Sequence, residues 1–582
     1  MREKETEKRK FPTVLKVLLI IAIILGIGTV GGIAVLNKFL AEPNNGETRL
    51  AINFTDVTGK TKHSIVVEDN IIYLSMEDIG VYYDNHIYFD SKYNQIVTST
   101  EDKLAVLKIG EKSIEINGEK KTIKGAAMEK NKAYYLPISE MEDVYNVKVN
   151  KSDNNISIES LDKKSTKGVI KGSTYLKSKA KSLSGNIMKL KKGEEVRIAD
   201  IEKTSNTMPK GWVKVRTENG RIGYIKEKYI TDIKVEREEK TKAKVIEGNV
   251  SMAWEYFSEY AKAPDNTGKK YDGVNVVSPS FFYLSIKDMQ KTGAIKTDIE
   301  NQAKIKSNVG ESGEKYIKWA KENGYQVWPM VLNETLTSTI DEFSEIINDY
   351  ELRKIMIEDI LEYVEKYDLD GINIDFEYMY GKDKDAFSKF IIELAPRLRA
   401  MNACLSVDVT APDGDENWSG CYNRNVIGDV ADYIVLMGYD QYGANGFGST
   451  AEYNWVENSV NKMIKYDEVP SEKIVLGLPF YTKLWKTKDG KKVGNGDAIS
   501  MKNMNSNIPS NASKEWLEEA KQYFVQYESG GFTYKIWVED EESFKTKLLI
   551  VNEYKLAGAA YWRKDMESSK VWDIVKEVLE LK

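Results

Sequence analysis

Histidine and cysteine are nearly absent from this chain, with His63, His86, Cys404 and Cys421 the only ones in 582 residues. Nothing after His86 can act as an imidazole base, so the long remainder cannot hold a Ser-His-Asp triad, a Cys-His dyad or a His-ligated zinc. Two cysteines do not make a disulfide framework, which needs many more in a far shorter chain. Neither charge sign dominates: 84 Lys+Arg face 90 Asp+Glu, formally -6, which leaves no footprint for a nucleic-acid partner. Any chemistry must run on carboxylates, hydroxyls, amides, phenols or indoles. The length suffices for about three to four domains with at least one large core.

One long hydrophobic run is present. Residues 17–36 carry no charge and follow Arg2, Lys4, Lys8, Arg9, Lys10 and Lys16. Such a run can cross a hydrocarbon core of about 30 Å as a helix. It exceeds the roughly 7–15 apolar residues of a cleaved signal peptide, so it reads as an uncleaved anchor. A long core helix is the alternative. Gly26, Gly28, Gly31 and Gly32 weigh against it, because glycine costs a soluble helix more than one in lipid. The expected layout is a cytoplasmic basic segment 1–12, a transmembrane signal anchor 13–37 and a linker 38–49. That makes a single-pass membrane protein whose later domains stand on the outer, cell-wall side.

Residues 50–162 alternate β-branched and aromatic runs with Asp, Asn, Gly and Lys turns, a mainly strand pattern. The stretch Ile72-Tyr73-Leu74-Ser75-Met76-Glu77-Asp78-Ile79 returns as Tyr134-Tyr135-Leu136-Pro137-Ile138-Ser139-Glu140-Met141. This doubling resembles the amino-terminal-type domain named after copper amine oxidases. No copper is expected, since His63 and His86 are too few for a site and read as ordinary surface or strand residues. Residues 163–235 form a second β-rich unit. Its runs Tyr175-Leu176-Lys177, Gly211-Trp212-Val213-Lys214-Val215 and Gly223-Tyr224-Ile225 resemble the bacterial SH3-like domain. Trp212 and Tyr224 read first as core aromatics of a small barrel, and second as the lining of a groove for wall peptide. The charged stretch 236–244 reads as a solvated linker.

From residue 245 to 582, short apolar strands alternate with helical patterns, as in repeated βα units. Strands are expected near 248–254, 273–278, 326–332, 371–377, 404–410, 433–439, 473–479 and 556–562. Eight of them predict an α/β (β/α)8 TIM barrel, with function at the carboxyl ends of the strands. The fourth strand reads Asp370-Gly371-Ile372-Asn373-Ile374-Asp375-Phe376-Glu377. Alternation sends Asn373, Asp375 and Glu377 to the lumen and Ile372, Ile374 and Phe376 to the helix layer. Burying two carboxylates and an amide together is costly and marks a site. A magnesium or calcium site is the competing chemistry for such a group. Like charges this close repel, so one carboxyl keeps its proton near neutral pH, as a general acid for a glycosidic oxygen must. Glu377, nearest the open end, is the candidate donor.

This stretch resembles the signature of glycoside hydrolase family 18. So do Met437-Gly438-Tyr439-Asp440, Gly477-Leu478-Pro479-Phe480-Tyr481 and Ala560-Tyr561-Trp562 on later strands. The resemblance implies substrate-assisted catalysis. In it, Glu377 is the acid and base, Asp375 orients the sugar's acetamido group, and Tyr439 holds its carbonyl. Trp562 floors the sugar, Asp440 contacts hydroxyls, and no cofactor or metal is required. Asn373, Asp408, Met437, Tyr481 and Phe281 join them as expected substrate contacts, with Trp254 and Asn333 as further candidates; Asp370 and Gly371 belong to the structural motif. Chitinases of the family usually place Asp where Asn373 stands. Asn there resembles the spore-cortex and peptidoglycan glucosaminidase branch, as do Val327-Trp328-Pro329-Met330 and Trp418 with Tyr422. The implied partner is an N-acetylglucosamine glycan, peptidoglycan foremost. A chitinase is the alternative within the enzyme class; a silent wall-binding lectin and a wall or spore-coat scaffold are the alternatives outside it.

Cys404 should open strand five at the closed end of the barrel, and Cys421 should follow the loop at the open end, roughly 20 Å away. Both should therefore titrate as free thiols in the unfolded protein. An intact Cys404–Cys421 bridge in the mass spectrum contradicts this placement.

Overall fold

The computed structural model describes residues 48–581 apart from 200–207, 240–245, 259, 285–302, 334–338, 443–445 and 511. The single-pass membrane expectation is corrected here: no helix among the described residues is long and apolar enough to cross a membrane. Residues 17–36, on which that expectation rested, lie outside the described residues, as does most of the linker 236–244.

The doubled sequence pattern has a structural counterpart. Its two copies, Ile71–Ser75 and Ala133–Leu136, pair antiparallel at the centre of a four-stranded sheet, with Leu74 opposite Leu136. Each is flanked by its own hairpin partner, Val66–Glu68 and Met128–Lys130. Ile72, Leu74, Ile79, Leu136, Ile138 and Met141 meet in one apolar core, so the repeat buries itself against itself. The following unit is a seven-stranded sheet whose core is Ile170, Leu176, Leu190, Val196, Ile198, Val213, Val215, Ile225 and Ile230. Trp212 and Tyr224 are half-buried and lie outside that core, which corrects their first reading as core aromatics. Alternation explains it: Val213 and Val215 point inward, so their neighbours point out.

The carboxyl-terminal part is an eight-stranded parallel barrel. Its strands are β1 (Val250–Glu255), β2 (Val276–Pro279, resuming at Phe282–Leu284) and β3 (Gln326–Val327, resuming at Met330–Leu332), followed by β4 (Gly371–Asp375) and β5 (Cys404–Thr410). β6 (Tyr433–Met437), β7 (Ile474–Pro479) and β8 (Gly558–Trp562) complete it. β8 pairs with β1, Val250 opposite Gly558, and closes the ring. A five-stranded antiparallel sheet between Tyr481 and Trp537 is inserted between β7 and β8 and was not expected from the sequence. Cys404 opens β5, and it and Cys421 are buried free thiols. Gly371 opens β4 where a Cβ would lie 2.7 Å from the Trp328 ring and 2.9 Å from the Cys404 carbonyl, so no larger residue fits.

The doubled β unit docks on two barrel helices, α1 (Tyr350–Tyr367) and α2 (Lys384–Ala400). Asp349 caps α1 by accepting from the Leu352 amide at 3.1 Å and also accepts from the Tyr93 hydroxyl at 2.9 Å. His86 reaches Asp429 at 2.7 Å and Lys354 reaches Glu115 at 2.6 Å. Beneath them Arg353 and Glu393 form a pair only 2% and 1% exposed, 2.8 Å apart, with the Tyr88 hydroxyl donating to the same carboxylate. Removing one partner of such a pair strands a buried charge. Glu393→Ala should therefore cost about 3–5 kcal/mol in urea unfolding, and a loss within error of zero would show the pair to be energetically idle.

Candidate active site

β4 builds the site through the alternation of its side chains. Ile372, Ile374 and Phe376 enter the apolar layer between strands and helices, which forces Asn373 and Asp375 into the lumen. The Asn373 amide is fixed on both sides: Ser406 Oγ donates to its Oδ1 at 2.6 Å, and its Nδ2 donates to Asp408 Oδ2 at 2.6 Å. Glu377 lies just past the strand, and Asn333 grips its main chain. Asn333 Nδ2 donates to the Glu377 carbonyl at 2.7 Å, and the Glu377 amide donates to Asn333 Oδ1 at 3.1 Å. The Tyr422 hydroxyl donates to the Phe376 carbonyl at 2.8 Å from the other side.

The lumen opens into a cavity of about 130 Å³. Asp375, Glu377, Asp408, Met437, Tyr439, Asp440 and Trp562 all line it, with Trp254, Thr410 and Trp418. The rings of Trp254 and Trp562 meet edge to face at 6.0 Å, and Trp254 meets Tyr439 at 6.3 Å, forming an aromatic wall. Tyr481 sits behind that wall and donates its hydroxyl to Asp440 Oδ1 at 2.8 Å, while Lys483 from the inserted sheet reaches the same oxygen at 2.7 Å. Asp375 Oδ1 and Asp408 Oδ1 are buried without a hydrogen-bond partner among the described residues, a cost that a bound ligand can relieve.

Four expected contacts do not line the cavity: Asn373, fully buried, holds Asp408 and Ser406, Tyr481 holds Asp440, and Phe281 and Asn333 are placed elsewhere. Phe281 is fully buried among Phe257, Phe282 and Tyr316, away from the cavity. Asn333, 3% exposed, is occupied with the Glu377 backbone. Asp370 stands at the closed end, where its carboxylate accepts from the Val327 amide at 2.9 Å. Tyr378, 53% exposed and 5.1 Å from Trp418 ring to ring, adds an aromatic pair at the cavity mouth; no periodicity in the sequence marks it.

Electrostatics separate the carboxyls. Burial pushes Asp375 up to about 7. Burial, then the charges of Asp375 and Asp440, hold Glu377 well above the usual carboxylate range, so it stays protonated when Asp375 is ionised. Asp408 is likewise held high by burial and by Asp375, against the opposing Asn373 hydrogen bond. Burial also keeps the Tyr439 hydroxyl protonated. The arrangement places a protonated Glu377, an ionisable Asp375 and the Tyr439 phenol around an apolar wall, the equipment for cleaving a glycosidic bond.

A closed parallel barrel with this constellation at its carboxyl end defines a glycoside hydrolase. Residues 252–567 match glycosyl hydrolases family 18, and the chain belongs to that family. Residues 52–159 match the copper amine oxidase N-terminal domain and 172–231 the bacterial SH3 domain. Among curated proteins, the uncharacterized glycosylase YvbX of Bacillus subtilis is 26% identical over 311 residues, 49% of this chain and 84% of that protein. The putative sporulation-specific glycosylase YdhD and the cortical fragment-lytic enzyme of the same organism are 28% and 25% identical. The matches span 41% of this chain in both cases, and 58% and 56% of those proteins. Among solved structures, a chitinase from Chromobacterium violaceum has a TM-score of 0.48 at 22% identity, over 57% of this chain and all of that one. The spore cortex-lytic enzyme SleL of Bacillus megaterium has a TM-score of 0.48 at 18% identity, over 62% and 77%.

The separation of Asp375 from Glu377 fixes the sign of the pH dependence. Below pH 7 Asp375 gains a proton and its negative charge is lost, while Glu377 still holds its own. Plotted for the free enzyme, kcat/KM should rise with pH through about 7 and fall only when Glu377 ionises well above its usual range. A profile that is flat from acid to neutral pH would contradict this assignment.

Proposed function

We propose that this family 18 hydrolase is a retaining enzyme that cleaves β-1,4 N-acetylglucosamine linkages of peptidoglycan, spore cortex included, by substrate-assisted catalysis. The observation that carries the reading is the convergence of Asp375, Glu377, Tyr439 and Trp562 on one cavity. Glu377 gives its proton to the glycosidic oxygen as the C1–O bond breaks. The carbonyl oxygen of the sugar's own 2-acetamido group closes on C1, and the resulting oxazolinium carries the positive charge. Asp375, ionised, orients the acetamido N–H and offsets that charge, and the Tyr439 hydroxyl donates to the carbonyl oxygen. The Glu377 carboxylate then takes a proton from water as its oxygen attacks C1, which reopens the ring and restores the acid. Trp562 supplies the apolar face under the sugar, and Asp440, steadied by Tyr481 and Lys483, is placed for a hydroxyl.

Peptidoglycan is preferred over chitin because Asn373 stands where chitinases of the family usually carry Asp. The SH3-type and doubled β units, and relatives named for sporulation and cortex fragments, support the same substrate. Chitin is the second reading, favoured by relatives such as the probable endochitinase of Caenorhabditis elegans, 24% identical over 249 residues.

The test offers the purified protein vegetative peptidoglycan, spore cortex and chitin oligomers and identifies the new reducing ends. Reducing N-acetylglucosamine from peptidoglycan is expected; reducing N-acetylmuramic acid would make the enzyme a muramidase. Glu377→Gln should lower kcat by at least about 10²-fold, within the range for losing a general acid, with binding retained, and a thiazoline mimic of the oxazolinium should inhibit the wild type. Full activity in Glu377→Gln refutes the assignment.

A further inference from the structure

A second cavity, about 320 Å³, lies where the doubled β unit meets the SH3-type unit. Its centre is the carboxylate of Glu159, 9% exposed, on the last strand of the doubled unit, Asn155–Ser160. Three guanidinium groups from three strands of the other unit converge on it. Arg197 Nε lies 3.1 Å from Oε2, Arg237 Nη2 lies 3.0 Å from Oε1, and Arg216 Nη2 also donates to Oε2. Burial alone would raise the Glu159 carboxyl, but Arg216, Arg197 and Arg237 outweigh it and hold the group below the usual range.

Charge and space both exceed what a clamp between two units needs. The cavity walls carry five cations, Lys148, Lys167, Arg197, Arg216 and Arg237, against three carboxylates, Glu159, Glu195 and Glu218. Lys148 is paired with Glu142, Lys167 with Glu195, and Arg197 also with Glu236. Glu142 and Glu236, outside the walls, offset part of this excess, but among the described residues Arg216 and Arg237 have no carboxylate partner except the shared Glu159, so the positive charge is locally uncompensated around Glu159. Arg216 is 3% exposed and its Nε is buried without a hydrogen-bond partner. Holding a guanidinium that deep with part of its fork unused is costly without an anion nearby. A plain clamp would also pack to interior density, whereas this junction leaves a volume in the roughly 300–1,000 Å³ range of ligand pockets, which favour domain junctions.

We propose that this cavity binds an oxyanion, a carboxylate or phosphate group borne by a wall polymer, through the remaining Nη1 of Arg237 and Nη2 of Arg197 beside Glu159, the other N–H groups of those two side chains being engaged by Glu159, Glu236, Ser165 and the Ser160 and Lys163 carbonyls. Guanidinium N–H groups bind either kind of oxyanion, and two guanidinium groups sharing one carboxylate favour such an anion. Such a site would hold the accessory units on the polymer while the barrel works on its sugars. It differs from the Trp212 and Tyr224 face expected from the sequence, neither of which lines it.

The test titrates the full protein calorimetrically with inorganic phosphate and, separately, with N-acetyl-D-alanyl-D-alanine. At least one probe should bind with a Kd of about 1 mM or tighter at low salt and weaken as ionic strength approaches about 0.15 M. Arg237→Gln, whose side chain is 28% exposed and not needed for the core, should weaken that binding about tenfold with an unchanged circular dichroism spectrum. Binding of phosphate alone assigns a phosphodiester polymer, and binding of the dipeptide alone assigns a stem-peptide carboxylate. Heat from neither probe, or equal affinity in wild type and Arg237→Gln, overturns the proposal.

Discussion

Everything at the catalytic end depends on one constraint: in a closed parallel barrel, a strand's alternate side chains have only the lumen or the helix layer to enter. β4 fills the helix layer with Ile372, Ile374 and Phe376, so Asn373 and Asp375 have nowhere to go but inward. There they meet Asp408 from β5 and Glu377 from the strand end. Several carboxyls in one small buried volume cannot all be ionised, and the protein resolves the conflict by depth and neighbours. Asp375 is the first to lose its proton, at about 7, and Glu377 keeps its own. Proton and charge are thus divided between Glu377 and Asp375 by depth and neighbours, with no histidine nearby.

The supporting residues act on the backbone more than on the cavity. Asn333 holds the Glu377 main chain with two hydrogen bonds, and Tyr422 holds the Phe376 carbonyl. The inserted sheet contributes Lys483 to Asp440, so an element outside the barrel helps steady a residue inside it. Away from the site, polar contacts join the units. Asp349 is both a helix cap and a partner of Tyr93, and the Arg353–Glu393 pair is buried under Tyr88. These contacts hold the doubled unit against the helices of the barrel.

Much of the barrel was legible because its signals are local. All eight strands lie at or within a few residues of their expected positions, since apolar runs between helical patterns mark buried parallel strands directly. Alternation along 371–377 placed Asn373 and Asp375 in the lumen without any tertiary knowledge. Long-range facts were not legible. Phe281 looked like a site aromatic because it follows β2, but β2 breaks at Pro279 and turns the ring into the helix layer. Asn333 looked like a sugar contact because it ends β3, and only the approach of β4 shows what its amide holds. The inserted sheet left one trace, an unusually long interval between β7 and β8, which composition alone did not resolve into strands. The anchor expectation came from the uncharged run 17–36 and its basic flank, which lie outside the described residues, and no described helix is long and apolar enough to cross a membrane.

The central claim is that the sugar's acetamido group, held by Asp375 and Tyr439, is the nucleophile and that Glu377 serves both steps. Two displacements at C1 preserve configuration, whereas a single attack by water inverts it. Proton NMR of the reducing end in the first moments of hydrolysis, before mutarotation, reads this directly. The account predicts that the β anomer appears first; prompt appearance of the α anomer would contradict it.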